Sequence, residues 1–321
     1  MNKKTKILLI TAFSLVLIGC IIFGGVMTML NFDFTKLSTA KYETNDYEIV
    51  EDFKNISLVT DTADILFVPS ENSKAMVVCY EQKNMKHLVT VHNSTLTVEL
   101  VDTRKWYEYI GINFTTPRIT VYLPQGEYGI LSVKTDTGDT EIPKDFRFES
   151  IDVLQSTGDV KNFASASDAI KIKTSTGSIS AESISANTLD LSVSTGGIAV
   201  SKVVCEGDIN IGVSTGKTKL TDVQCNNLAS NGNTGDILLN SVIATEKLSV
   251  VRSTGDVKLE QCDAGELFIE TDTGDVKGTL LTSKVFIVQT DTGKVNVPKT
   301  VTGGKCEINT DTGNIKISIS E

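Results

Sequence analysis

Four Asp-Thr-Gly triplets stand out for their chemistry. They begin at Asp136, Asp272, Asp291 and Asp311. Two such triplets face to face can give the paired carboxylates of an acid protease, which share one proton in a closed cleft. Further acids, Asp139 and Asp275, directly follow the glycine in two units. Carboxylates stacked at short intervals repel unless they are hydrated, paired or bridged. A hard cation such as calcium, with its flexible oxygen coordination, would suit Asp136, Asp139, Asp272, Asp275, Asp291 and Asp311. Against this, Lys217 and Lys294 occupy the position after the glycine in two units, and no glycine-rich calcium nonapeptide occurs. In six further units Ser or Asn replaces the first Asp. An interchangeable Asp, Ser or Asn reads as a turn-capping residue. The triplets therefore assign no catalytic residue, and the sequence implies no cofactor and no enzyme.

The remaining reactive side chains are sparse. The histidines are His87 and His92, which leaves few metal or general-base options. Of the six cysteines, Cys205 and Cys225 lie nine residues after a Thr-Gly, where Ala186, Ala244 and Ala264 stand in other units. They read as small fillers of a tight interior position on adjacent layers. They also lie within reach of a disulfide in an oxidising compartment. All seven tyrosines and the single tryptophan precede residue 130. A polysaccharide-cleaving enzyme, the second functional class considered, calls for aromatic platforms and convergent acids, and the later segment offers neither. The stretch Arg104–Phe114 does carry Trp106, Tyr107 and Tyr109. Packing on a sheet accounts for them, and so does contact with a membrane surface or a membrane partner.

What must position these groups is a repeat. The glycines of Thr-Gly pairs fall at Gly138, Gly158, Gly177, Gly196, Gly216, Gly235, Gly255, Gly274, Gly293 and Gly313, at intervals of 19 or 20 residues. Aliphatic residues recur seven and five positions before most of these glycines and two and four after them. Leu131, Val133 and Ile142 around Gly138 are one set, and Leu248, Val250, Val257 and Leu259 around Gly255 are another. Spacing by two on both sides of the glycine predicts two short strands per unit, with the Thr-Gly at the corner between them. Stacked units give an all-β, parallel β-solenoid of about ten coils over residues 131–321, on the order of 50 Å long at about 4.8 Å per coil.

Residues 47–130 alternate less regularly. Ile56–Ile65 resembles a first coil with Ala63 in the glycine position, and antiparallel hairpins near 75–80, 88–92, 95–100 and 118–123 would cap the open end. At the other end the chain stops at Ile315–Glu321 without a visible cap, so an uncovered strand there is expected to invite a partner or another copy. Residues 31–46 read as a linker.

The first 30 residues carry a different signal. Lys3, Lys4 and Lys6 precede an uncharged apolar run over residues 7–30, long enough to cross a bilayer. The lysines favour residues 1–6 in the cytoplasm and the remainder outside the cell. Leu17-Ile18-Gly19-Cys20 also fits a lipoprotein cleavage site, but the residues after Cys20 stay apolar. The formal net charge of −10 excludes nucleic acid as an electrostatic partner.

The Thr-Gly-Asp units, the Tyr122-Leu-Pro-Gln-Gly126 stretch before the first of them and the N-terminal apolar segment resemble an uncharacterised bacterial β-strand-repeat family. Its members are a domain of unknown function described as "putative adhesin". The resemblance covers about residues 45–321 and implies no catalytic residues. The expectation is a single-pass membrane protein displaying a solenoid outside the cell as a structural or interaction module, adhesin-like or tied to envelope stress. Its partners would be the bilayer through residues 7–30, an unidentified envelope protein or surface ligand, and another copy at the C-terminal edge. Calcium-dependent adhesion and a polysaccharide enzyme are the alternatives.

Overall fold

The computed structural model describes residues 2–37, 40–109 and 115–320; the side chains of Thr35 and Tyr107 also lie outside the description. An apolar helix, Lys3–Met29, opens the chain and is long enough to span a bilayer. It ends where Asn31 and Phe32 adopt left-handed φ of 54° and 58°, and the Phe32 N–H closes on the Met27 carbonyl.

The rest is a parallel β-solenoid. Each coil has two strands meeting at the Thr-Gly corner, and equivalent residues pair in register. Ile151 faces Leu131 on one side and Ile170 on the other. The aliphatic ladders expected from the spacing form one continuous core, with Leu131, Ile151, Ile170, Leu189, Ile209 and Leu228 all buried. The corners form a single file. A Cβ built on Gly158 would lie 2.0 Å from the Gly138 carbonyl oxygen, and one on Gly177 would lie 2.0 Å from that of Gly158. Glycine is required because the neighbouring coil's carbonyl already fills the space of a side chain. Gly138 and Gly158 also take φ of 133° and 131°.

The order of the coils departs from the order of the sequence. The Gly313 coil is inserted between the Gly274 and Gly293 coils: Cys306 pairs with Leu267 on one side and with Phe286 on the other. The strand expected to be uncovered, Ile315–Ile319, is thus bordered by Val276–Leu280 and by Val295–Asn296. The true edge is the Gly293 coil, Lys284–Thr292 and Val295–Asn296. There Val285, Ile287 and Val295 are exposed, and Phe286 and Val288 are only half-buried. Repeats with the same interior pattern seat on one another equally well, so pattern alone does not dictate sequence order. Gly303 and Gly304 thread the returning chain between layers already in place. A Cβ on Gly304 would meet the Gly265 carbonyl oxygen at 1.7 Å, and one on Gly303 would meet that of Ser283 at 1.8 Å.

A buried charge, Arg252, interrupts the aliphatic core of the coils. Arg252 extends over Gly232 and donates to Thr218 Oγ1 (2.9 Å), Ser230 Oγ (3.4 Å) and the Val213 carbonyl (3.3 Å). Burial pulls its guanidinium down to about 10. Ser230 and Thr218, polar where their ladders are otherwise mostly aliphatic, are the partners this arginine needs.

At the N-terminal end the strands are β1 (Tyr42–Ile49), β2 (Asn55–Thr62), β3 (Asp64–Pro69), β4 (Ala75–Gln82), β5 (Met85–His92), β6 (Thr95–Asp102), β7 (Arg118–Leu123), β8 (Gly126–Thr137) and β9 (Thr140–Ile142). Strands β2 and β3 stack on β8 and β9 as a further coil around Ala63. Beyond them β6 and β7 are still parallel, and antiparallel pairing starts only with β4, β5 and β1. The end is therefore part solenoid and part hairpin rather than hairpins alone. Strand β1 begins at Tyr42, inside the stretch read as linker. Its sequence Y-E-T-N-D-Y-E-I is polar on its open side, as suits an edge strand.

Replacing Gly304 with Ala is expected to push the inserted coil out of its slot. The chain should lose more than about 2 kcal/mol of stability, and limited proteolysis should cut first within residues 297–320. An unchanged melt and an unchanged digestion pattern would show that the inserted order is not the one adopted.

Candidate functional site

The corner file was the first place to look for chemistry, and its acids do structural work. Asp139 Oδ1 accepts the Asp159 N–H (2.8 Å), Asp159 Oδ1 the Ser178 N–H (2.7 Å), and Asp256 Oδ1 the Asp275 N–H (2.8 Å). Asp275 Oδ1 accepts the Asn314 N–H (2.7 Å), and Asn314 Oδ1 in turn accepts the Lys294 N–H (3.1 Å). Where the residue just after a corner glycine is Asp or Asn, its side chain thus caps the next coil in space. These bonds follow the inserted order, Gly274 to Gly313 to Gly293. Capping had been expected from the residue two before the glycine, whereas these bonds fall on the residue after it.

The six aspartates named for calcium do not gather in one place. Asp136 sits beside Asp61 at the N-terminal end, since Thr135 pairs with Thr60 and Thr137 with Thr62. Insertion of the last coil puts Asp272, Asp311 and Asp291 on three consecutive layers at the other end. Asp275 is engaged by Asn314 and by Lys277 at 2.6 Å. The Asn314 N–H and the Lys277 ammonium hold the Asp275 carboxyl below its ordinary range.

The aromatic loop lies at the end of the cap where the chain enters from the helix. The Lys83 N–H donates to the Lys41 carbonyl (2.9 Å), and Tyr42 Oη donates to the Thr115 carbonyl (2.9 Å). The Thr103 N–H reaches the Asn84 carbonyl, and Asn84 Nδ2 reaches Glu108 Oε1 (2.8 Å). These contacts tie the start of β1, the β4–β5 turn and the short helix Trp106–Tyr109 together. Trp106 is 76% exposed and Tyr109 58% exposed, so neither packs into the sheet. Arg104 lies 4.2 Å from the centroid of the Tyr109 ring and chelates Asp102, while Tyr109 Oη donates to Asp102 Oδ2 (3.0 Å). Arg104 above all holds the Asp102 carboxyl down to about 2. The loop's polar base is fixed and its aromatic rings face outward. Of the residues named here from sequence, the Tyr107 side chain and Ile110–Phe114 lie outside the described residues.

A third group was missed. Glu81 and His87, both buried, are bonded inside the cap. Glu81 Oε2 accepts the His87 N–H (2.7 Å) and lies 2.6 Å from Nδ1. Glu81 Oε1 accepts from Asn45 Nδ2 (2.7 Å), and Thr60 Oγ1 lies 2.9 Å from His87 Nε2. Cys79 completes the group on the same face of β4. The available signal was Cys79 and Glu81 two apart in an alternating strand, facing a histidine across a tight turn.

Cys205 and Cys225 occupy equivalent positions on successive coils, as the Val204–Gln224 pairing shows. Both are buried free thiols directed at backbone carbonyls, Asn187 and Ile243. Burial pushes Cys225 up to about 12 and raises Cys205 as well.

This geometry is that of a known family. The family described as Toastrack DUF4097 matches residues 53–212 and 206–321, and the chain belongs to it. Solved structures to which the chain is similar include a "putative adhesin" from Bacteroides fragilis (18% identity, TM-score 0.36, covering 87% of this chain and 97% of that one). A "putative adhesin" from Parabacteroides distasonis shows 11% identity and a TM-score of 0.40, covering 87% and 98%. A "putative lipid binding protein" from the same species shows 13% identity and a TM-score of 0.31, again covering 87% and 98%. A comparison with curated proteins gives no match.

The depressed Asp275 carboxyl fixes the sign of a pH effect. Its folded value lies below the unfolded one, so the stability it contributes is present above the ordinary carboxylate range and is lost as pH falls through the folded value. Melting temperature should be level from pH 7 to about 5 and fall below about 4. Asp275→Ala should cost less than about 1 kcal/mol at pH 7, because the group lies at the surface where solvent screens its partners, and the difference from the parent should vanish in acid. A difference that persists at low pH would refute the capping role.

Proposed function

We propose that this protein is a single-pass membrane protein with a cytoplasmic N-terminus, whose solenoid is held outside the cell as a non-enzymatic interaction module. Residues 7–30 form the anchor, a tether follows, residues 42–130 form the cap and residues 131–321 the repeats. Lys3, Lys4 and Lys6 ahead of the apolar helix support the orientation. The carboxylates after the corner glycines support a structural rather than a catalytic role, because they serve as acceptors for backbone N–H groups and lysines. An adhesin-like part, or one in envelope-stress sensing, fits a rigid rod of this kind on a membrane tether.

The observation that carries the reading is the placement of Trp106 and Tyr109. The chain leaves the helix at Met29 and enters β1 at Tyr42. The residues between can span at most about 40 Å. The exposed rings stand at that same end of the cap, on a loop whose base is bonded to the β4–β5 turn. Amphipathic rings in this position meet the headgroup layer, where Trp and Tyr are favoured. The cap then rests on the outer leaflet and orients the rod, leaving the Gly293 coil as the far end. Its apolar edge is the surface for an envelope protein, a surface ligand or another copy. In an oxidising compartment Cys205 and Cys225 stand ready to form a bridge, which peptide mapping under non-reducing conditions would detect.

Trp106 is the chain's single tryptophan, so its fluorescence reports on this contact alone. In full-length protein reconstituted into bilayers, emission should be blue-shifted relative to the Tyr109→Ala variant and quenched by lipids brominated near the headgroup. Emission at the wavelength of free tryptophan, insensitive to brominated lipid, would overturn the resting contact while leaving the anchor intact.

A further inference from the structure

We propose that Cys79, Glu81 and His87 form a site for a transition-metal dication, zinc in particular, inside the cap. The ligand atoms of the three side chains lie within 4.8 Å of one another, and all three residues are buried. Among the described residues they are the one such group. The site is independent of the membrane contact at the Trp106 loop.

The donor set decides the class of ion. A thiolate, an imidazole and a carboxylate are the ligands of zinc and its neighbours, not of calcium or magnesium, which take oxygen alone. Charge decides its plausibility in a buried place. Thiolate and carboxylate together carry two negative charges, which a dication neutralises with the imidazole uncharged. Without an ion the thiol has no such role. Among the described residues its Sγ, like that of buried Cys306, makes no hydrogen bond, whereas Cys205, Cys225 and Cys262 each donate to a carbonyl. Cys79 is thus a buried sulfur pointing into a polar cluster with nothing to bind.

The surrounding bonds are those a metal site needs. Ligation by Nδ1 leaves Nε2–H to donate to Thr60 Oγ1, already 2.9 Å away, which fixes the ring and its tautomer. Asn45 Nδ2 holds Glu81 Oε1 at 2.7 Å, leaving Oε2 to face the ion. Binding puts the ion in place of the proton between Nδ1 and Oε2, and that proton and the thiol proton both leave to solvent, two protons for one dication. Bonds of about 2.0–2.3 Å in a tetrahedral site place ligand atoms roughly 3.3–3.8 Å apart. The His87–Glu81 contact of 2.6 Å must open and the sulfur must close in, both by an ångström or less. A water completes the fourth position. The ion would pin β4 to β5 and, through Thr60, to the first coil.

The test uses the full, untagged chain in detergent with Cys20→Ser, which removes the one exposed thiol. After exhaustive chelation, cobalt(II) is titrated in. The expected result is a thiolate-to-cobalt band in the near ultraviolet that saturates at one ion per chain. It should be lost in Cys79→Ser, and cobalt affinity should fall more than about tenfold in His87→Gln. Zinc should displace cobalt and raise the melting temperature, and calcium should do neither. A chain that still melts cooperatively but gives no thiolate band at saturating cobalt overturns the site, and so does a band that survives Cys79→Ser. Should Cys79→Ser fail to fold, X-ray absorption of the zinc-loaded parent decides. One sulfur at about 2.3 Å with nitrogen and oxygen at about 2.0–2.2 Å supports the assignment, and a shell of nitrogen and oxygen alone refutes it.

Discussion

The structure depends on the close approach of one corner to the next. Between Gly138 and Gly158, and again between Gly158 and Gly177, a carbonyl oxygen occupies the volume that a Cβ would need. No other residue fits, and nothing wider separates the layers. That contact fixes the parallel register. Register then puts like side chains over like, so each aliphatic position becomes a continuous ladder in a dry core. The carboxylate after the glycine reaches the N–H of the next layer for the same reason. Spread the corners by the width of one methyl group and the ladder bonds, the core and the caps would loosen together.

The same regularity limits what a sequence can show. Periodic Thr-Gly pairs and aliphatic residues at fixed offsets reveal the coil, its two strands and its buried faces, because each is a local consequence of spacing. Which coil lies on which is not local. Every coil presents nearly the same top and bottom, so the Gly313 coil fits between its two predecessors as well as it would fit after them. The one local hint is Gly303-Gly304, a pair outside the repeat, placed where the chain squeezes between Ser283 and Gly265. The consequence is large, because it moves the exposed edge from Ile315–Ile319 to Lys284–Thr292. It also brings Asp272, Asp311 and Asp291 onto neighbouring layers.

Departures from the pattern carry the rest of the information. Ser230, Thr218 and Gly232 each break a ladder, and in sequence they look like unrelated lapses. In space they surround Arg252, whose guanidinium needs the hydroxyls as acceptors and the missing side chain as room. The cap follows the same logic. Cys79, Glu81 and His87 sit on inward faces of strands that otherwise alternate in the ordinary way, so the period marks them as buried but says nothing of one another. Only the antiparallel turn joining β4 to β5 brings the histidine over the carboxylate. Polar residues at core positions were legible as exceptions, but their partners became legible only with the topology.

A solenoid of this kind spends most of its sequence on stacking, which leaves its long sides uniform and its two ends distinct. Along the sides, acids and lysines recur at equivalent positions, and the acid after the corner glycine is committed to the neighbouring layer. At the N-terminal end the parallel order breaks, aromatic residues appear, and a buried polar cluster joins strands that stacking alone would not hold. At the far end the returning coil leaves one layer covered on a single face, with Phe286 and Val288 half-buried. Specific recognition requires a feature that does not repeat. In this chain the exposed features of that kind lie at the ends.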